Sequence, residues 1–208
     1  MKILQFICST GFYGAERWIL ALSKHLPENV QSELVVTLEP GTEDLELVKQ
    51  FKPLGATHAL PMQNRFDLSV VNKLVKVIQE QDVDILHTHG YKSDILGVIA
   101  AKKAGIPCVV TPHGFENAAD LKLRLFIWLG CQSMRFATKV VPLSQQLMAD
   151  VKAFNLSADY LGLEPPEIKI SRDFDIDRLI GQDVTALTSL FDQNVIDREE
   201  FREIFKSF

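Results

Sequence analysis

Two histidines one residue apart, His87 and His89 in ILHTHG, close one apolar run, and His113 in VVTPHG closes the next in the same way. A neutral imidazole near pH 7 can donate a hydrogen bond to a ligand or to developing charge, so three rings brought to one place would make a polar, uncharged binding surface. Any one of them alone reads as well as an ordinary hydrogen-bonded residue at a strand end. A second feature is CSTGFYGAERW, where Gly11, Phe12, Tyr13 and Gly14 precede a helical pattern that carries Glu16 and Arg17 in its first turn. Glycine lets a backbone approach a ligand closely, and a helix start offers free N–H groups and a positive dipole end. The spacing is not GxGxxG, and the stretch reads equally as a structural loop with solvated first-turn residues.

The elements that must position these groups alternate. Short apolar runs at 2–8, 33–38, 57–62, 84–89, 107–112 and 139–144 read as strands, and 14–26, 42–52, 67–80, 92–104, 119–136 and 144–154 carry apolar residues at spacings of three and four. In 67–80, Leu68, Val71, Leu74, Val75 and Ile78 fall on one predicted face. This alternation predicts an α/β fold: a mostly parallel, Rossmann-like sheet over residues 1–154 with helices on both faces. Ligands of such sheets bind beyond the carboxyl ends of the strands, where the strand order reverses. His87, His89 and His113 are all expected there, beside the loop after the first strand.

Composition narrows the function classes. Of 208 residues 47% are apolar and 24% charged, the balance of a globular chain rather than a disordered one. A net charge of −5 gives no basic footprint, so no nucleic-acid partner is expected. Cys8, Cys108 and Cys131 are odd in number and far apart, which predicts buried free thiols in a reducing, cytoplasmic compartment and no zinc site. The first residues read as a buried strand rather than a leader peptide. LRLFIWLGCQSMRF is interrupted by Arg124, Gln132 and Arg135 and is too short to span a bilayer, though not to lie on its surface. The tripeptide Asn155-Leu156-Ser157 matches a glycosylation sequon that a cytoplasmic chain would not use.

The loop-helix GFYGAERWILALSKHL, followed in order by DILHTHG, PCVVTPHG and ATKVVPLSQQLMADV, resembles the amino-terminal half of family-4 retaining glycosyltransferases, enzymes of the GT-B type with two facing Rossmann-like domains. The resemblance covers residues 1–154 and implies a domain that binds the acceptor for transfer from a nucleotide sugar. It also implies residue roles. His113 would contact the sugar at the reaction centre as the catalytic histidine, with Gly114 keeping its loop tight. Gly11, Phe12, Tyr13 and Gly14, with Glu16 and Arg17, would face the donor diphosphate and the acceptor. His87 and His89 would line the acceptor side, and Gly114 and Ser144, the latter starting the helix after the last strand, would count with them among the substrate-binding residues. No metal and no cofactor is implied beyond the nucleotide-sugar donor, and the partner would be a carbohydrate or lipid-linked acceptor, with peripheral membrane contact. Family members carry a second domain with most of the donor site, which leads to the expectation that this chain alone is incomplete as an enzyme.

The remainder has a different texture. Residues 155–181 read as an extended connector with two consecutive prolines, and 182–208 as a helical hairpin lined by Leu187, Leu190, Phe191, Phe201, Ile204 and Phe205, capped at its second helix by Asp197. So many apolar groups require cover, by the sheet domain or by a second chain as a homo-oligomer. From Glu164 onward the chain also resembles the carboxyl-terminal stretch of phage portal-like structural proteins, which implies an alternative: a non-catalytic interaction or assembly module. A third alternative, an unrelated nucleotide binder, has Glu39 as its one candidate ribose ligand after the second strand.

Overall fold

The computed structural model describes residues 1–40, 42, 44–64, 67–114, 121–149 and 151. The expected connector 155–181 and hairpin 182–208 lie outside the described residues, as does the resemblance of the tail. Six parallel strands, β1 (Lys2–Ile7), β2 (Gln31–Leu38), β3 (Thr57–Pro61), β4 (Ile85–His89), β5 (Cys108–Thr111) and β6 (Lys139–Val140), form one sheet in the order β3-β2-β1-β4-β5-β6. They alternate with helices α1 (Gly14–Lys24), α2 (Glu46–Phe51), α3 (Ser69–Glu80), α4 (Tyr91–Ala104) and α5 (Leu121–Ser133), the last followed by a 3-10 turn at Met134–Phe136. The Rossmann-like expectation holds. The order reverses between β1 and β4, where Ile7 lies opposite His89, so these two strand ends form the switch point at which open α/β sheets bind their ligands.

Strand alternation sorts the core into two layers. Leu4 and Phe6 of β1, Leu86 of β4 and Val110 of β5 pack with Val70, Leu74 and Ile78 of α3 and Leu96, Val98 and Ala101 of α4. On the other face Ile7, Leu34 and Val36 pack with Ile19 and Leu20 of α1 and Leu47 and Phe51 of α2. Each large side chain so buried contributes about 1.5–3 kcal/mol. Helix α4 approaches the sheet closely at Gly97, where a Cβ would sit 2.3 Å from Thr88 Cγ2 and 3.3 Å from the Phe6 ring.

Several boundaries move for local reasons. Helix α3 begins at Ser69 because Asp67 accepts from the Ser69 N–H (3.0 Å) and, through its other oxygen, from the Gln63 N–H (3.1 Å). Leu68 therefore sits in the preceding turn, 67% exposed, and Val70 takes the buried position expected of it. Helix α2 spans six residues rather than eleven, and β6 two rather than six. Residues 145–149 are helical, and Ser144 starts them: its Oγ accepts from the Leu147 N–H at 3.1 Å. The cysteines are free; Cys108 and Cys131 are buried and Cys8 is half-buried. Among the described residues no helix is long and apolar enough to cross a membrane.

Candidate functional site

The spacing of His87 and His89 places both rings on one face of β4, the face that also carries Gln5 of the neighbouring β1 and Thr111 of β5. The two rings are tilted against each other with centroids 4.3 Å apart. His113, two residues past β5, brings its ring to 5.3 Å from that of His89. The three sequence-predicted histidines thus form one contiguous group at the carboxyl ends of β4 and β5.

The rings on this face are bonded to one another and to neighbouring polar side chains. His87 Nε2 pairs with Thr111 Oγ1 at 2.8 Å. His89 is bonded on both sides, Nε2 to Gln5 Oε1 at 2.8 Å and Nδ1 to His113 Nε2 at 3.1 Å. Burial, which disfavours the imidazolium, holds His87 down to about 3 and His113 to about 4, and pushes His89 well below its ordinary value. The rings repel one another's charge as well, whereas the Glu16 carboxylate pulls His113 the other way. All three are neutral at pH 7. Among the described residues no group of three or more His, Cys, Asp or Glu is arranged to hold a metal ion.

The loop after β1 lies beside this group, with the Glu16 carboxylate near enough to act on the charge of His113. Glu16 is buried, and its carboxylate is already engaged: Ser9 Oγ–H donates to Oε1 (2.6 Å) and the Tyr13 N–H to Oε2 (2.8 Å). That backbone bond is the reciprocal half of a capping box, and it braces the loop against the helix it opens. Arg17 is exposed and stands with its guanidinium 5.7 Å from the centre of the Phe12 ring. Gly14 has open space where a Cβ would project, but at Gly11 that space is filled by the Tyr13 ring, 2.3 Å away, so the absent side chain of Gly11 seats Tyr13. Tyr13 itself is 70% exposed. Gly114 adopts φ 141°, a conformation that favours glycine, as the chain turns away from His113. Ser144 lies exposed at its helix start, where its hydroxyl serves as the cap described above.

Around this group are residues that sequence reasoning did not select. Gln5 and Thr111 complete the histidine layer, and Ser9 holds Glu16. Glu39, the one candidate for a ribose, is instead paired with Lys92 of α4. Beneath the crevice, on the other face of β4, Asp94 is fully buried; Thr88 Oγ1–H donates to its Oδ1 at 2.6 Å, its Oδ2 has no partner, and burial raises its carboxyl well above the usual range.

Comparison with known proteins places this arrangement in context. Residues 12–161 match the family described as Glycosyltransferase Family 4. Over 129 residues the chain is 37% identical to an Escherichia coli UDP-Gal:alpha-D-GlcNAc-diphosphoundecaprenol alpha-1,3-galactosyltransferase, a match that covers 60% of this chain and 28% of that enzyme. Among solved structures it is similar to HepE from Anabaena in complex with UDP (TM-score 0.59, 19% identity, 89% of this chain and 50% of the other). It is also similar to Acinetobacter baumannii MurG (TM-score 0.55, 16% identity, 81% and 44%) and to Neisseria meningitidis UDP-GlcNAc 2-epimerase bound to UDP-GlcNAc (TM-score 0.54, 12% identity, 82% and 46%). At these identities the likeness shows a shared fold, which epimerases and GT-B glycosyltransferases both use. The matches span half or less of the length of each of these proteins.

Proposed function

Because the chain belongs to Glycosyltransferase Family 4, we propose that its sheet domain is the acceptor-binding half of a sugar-transfer site, with the acceptor seated over His87, His89 and His113 and the β1–α1 loop facing the nucleotide-sugar donor. The observation that carries this reading is the convergence of three neutral histidines at the switch point of the sheet, with His113 bonded to His89 at 3.1 Å and its second ring nitrogen left without a partner among the described residues. A neutral imidazole can bond a sugar hydroxyl without competing charge, and in a partly buried site that bond is worth more than in water. The donor diphosphate would meet the start of α1, whose exposed Gly14 leaves room for close backbone approach.

The acceptor class we favour is a lipid-linked sugar diphosphate, since the galactosyltransferase relative is named for an acceptor of that kind. Helix α5 and the turn after it expose Trp128, Leu129 and Phe136, with Lys102 stacked 5.7 Å from the Phe136 ring, a mixture of apolar and basic groups suited to a membrane surface. Titration of the full chain with a water-soluble, short-chain sugar diphosphate, followed through the histidine ring resonances, tests the reading. Saturable shifts at His87, His89 and His113 are expected, with His25 and His58 unmoved. Binding that leaves the three crevice rings untouched would place the acceptor elsewhere.

A further inference from the structure

The line Gln5–His89–His113 settles more than position. A neutral histidine carries its proton on one nitrogen only, and the partner of the other nitrogen decides which. His89 uses both of its nitrogens, toward Gln5 at 2.8 Å and toward His113 at 3.1 Å, so whatever Gln5 presents is passed through the His89 ring and fixes the proton on His113. With the amide oxygen of Gln5 toward His89, Nε2–H of His89 donates to it, Nδ1 accepts, and His113 has to donate from Nε2. That arrangement leaves the Gln5 amide nitrogen, fully buried, with both N–H groups unpartnered. A side-chain amide can turn over about its last bond without displacing any other atom. Turned, it donates one N–H to His89 Nε2 and leaves one N–H and the more tolerant carbonyl oxygen unpaired, which is the less costly of the two arrangements.

We propose that Gln5 is a positioning residue: its amide N–H donates to His89 Nε2, His89 Nδ1–H donates to His113 Nε2, and His113 is thereby held with its proton on Nδ1, the one nitrogen of the three-residue line left for a ligand. His113 then meets an incoming oxygen as a donor. An acceptor hydroxyl or a developing negative charge is matched by that N–H, whereas the opposite tautomer would offer it only a lone pair. The use of this N–H rests on the crevice being the acceptor site described above, but the tautomer is a property of the ligand-free protein. His87, bonded to Thr111 rather than to this line, is not part of the mechanism.

The test is two-bond proton–nitrogen correlation on the full chain, with its histidines labelled in the ring nitrogens, at pH 7 and without ligand. In the wild type, His89 and His113 are both expected to show a protonated Nδ1 and an unprotonated Nε2; a His113 protonated at Nε2 overturns the proposal without need of any variant. Gln5→Met keeps the side-chain length but removes the amide. It is expected to release His113 into a mixture of tautomers, its two nitrogen shifts moving toward each other, while Thr111→Val leaves them in place. No movement in Gln5→Met, or equal movement in Thr111→Val, would show that the amide does not set the proton. Because acceptor affinity is not read in this experiment, failure of the acceptor reading and failure of the tautomer line are told apart.

Discussion

Acidification from pH 6.5 to pH 5 is expected to destabilise the fold steeply, and the crevice histidines supply the slope. In the folded chain burial holds His87 to about 3 and His113 to about 4, and lowers His89 likewise, whereas in the unfolded chain each titrates near 6.5. Their folded-state values are depressed, so the stability is complete above pH 6.5 and is lost progressively as the pH falls toward about 4. The excess of protons on the unfolded chain therefore grows from about one and a half at pH 6.5, where each unfolded ring is half protonated, to close to three near pH 5. Asp94 opposes them: its raised folded-state value means that the folded chain keeps one proton that the unfolded chain has lost. Near pH 5 the net difference is about two protons, and at about 1.4 kcal/mol per pH unit for each proton the stability should fall there by about 3 kcal/mol per pH unit, the slope being shallow at pH 6.5 and steepening on the way down. Urea unfolding of the full chain at half-unit intervals measures this directly. His113→Gln removes one titration and should cut the slope by about half, and Asp94→Asn removes the opposing one and should steepen it by a similar amount. A flat profile, or three identical slopes, would refute the assignment of buried neutral histidines.

Three further outcomes are expected. Gly97→Val places side-chain atoms where Thr88 and Phe6 already lie, and overpacking of this kind should cost about 1–3 kcal/mol by urea unfolding. Glu16→Ala removes the acceptor of two hydrogen bonds, from Ser9 and from the Tyr13 backbone, and should lower stability by about 1–3 kcal/mol, with faster amide exchange confined to the loop after β1. The thiols of Cys8, Cys108 and Cys131 are each pushed up to about 12, chiefly by burial, so none should react with a thiol reagent at pH 7.5 in the native chain, and all three should react in denaturant.

The fold was legible because the strands repeat a readable unit. The apolar runs fell where β1, β3, β4 and β5 lie, and their ends put His87, His89 and His113 together at the carboxyl edge of the sheet, whereas the sharing of one face by His87 and His89 is shown by the strand register. Boundaries set by side-chain capping were less legible: Leu68 fits the apolar stripe of α3, yet the bonds that Asp67 makes leave it in a turn. In the site, the histidines were found through their place at strand ends, but their partners were not. Gln5 is 84 residues from His89, and only the neighbouring of β1 and β4 joins them. A trace was present, since a glutamine inside KILQFI breaks an apolar run of a central strand, and a buried amide there needs a polar neighbour. Glu16 and Glu39 show the converse. Their positions suggested ligand contacts, and the structure shows both carboxylates engaged within the protein, by Ser9 and Tyr13 and by Lys92.

The most direct test of the central claim, that the histidine crevice seats the acceptor, is the affinity of the full chain for a short-chain sugar diphosphate, compared between the wild type and His113→Ala. Loss of one hydrogen bond to a neutral group in a partly buried site, about 0.5–1.5 kcal/mol, should weaken binding roughly two- to twelve-fold. Lys76→Ala, which removes only an exposed ion pair with Glu80 on α3, should leave the affinity within about two-fold. Equal affinities for the wild type and His113→Ala, with the variant folded by its urea transition, would contradict the account.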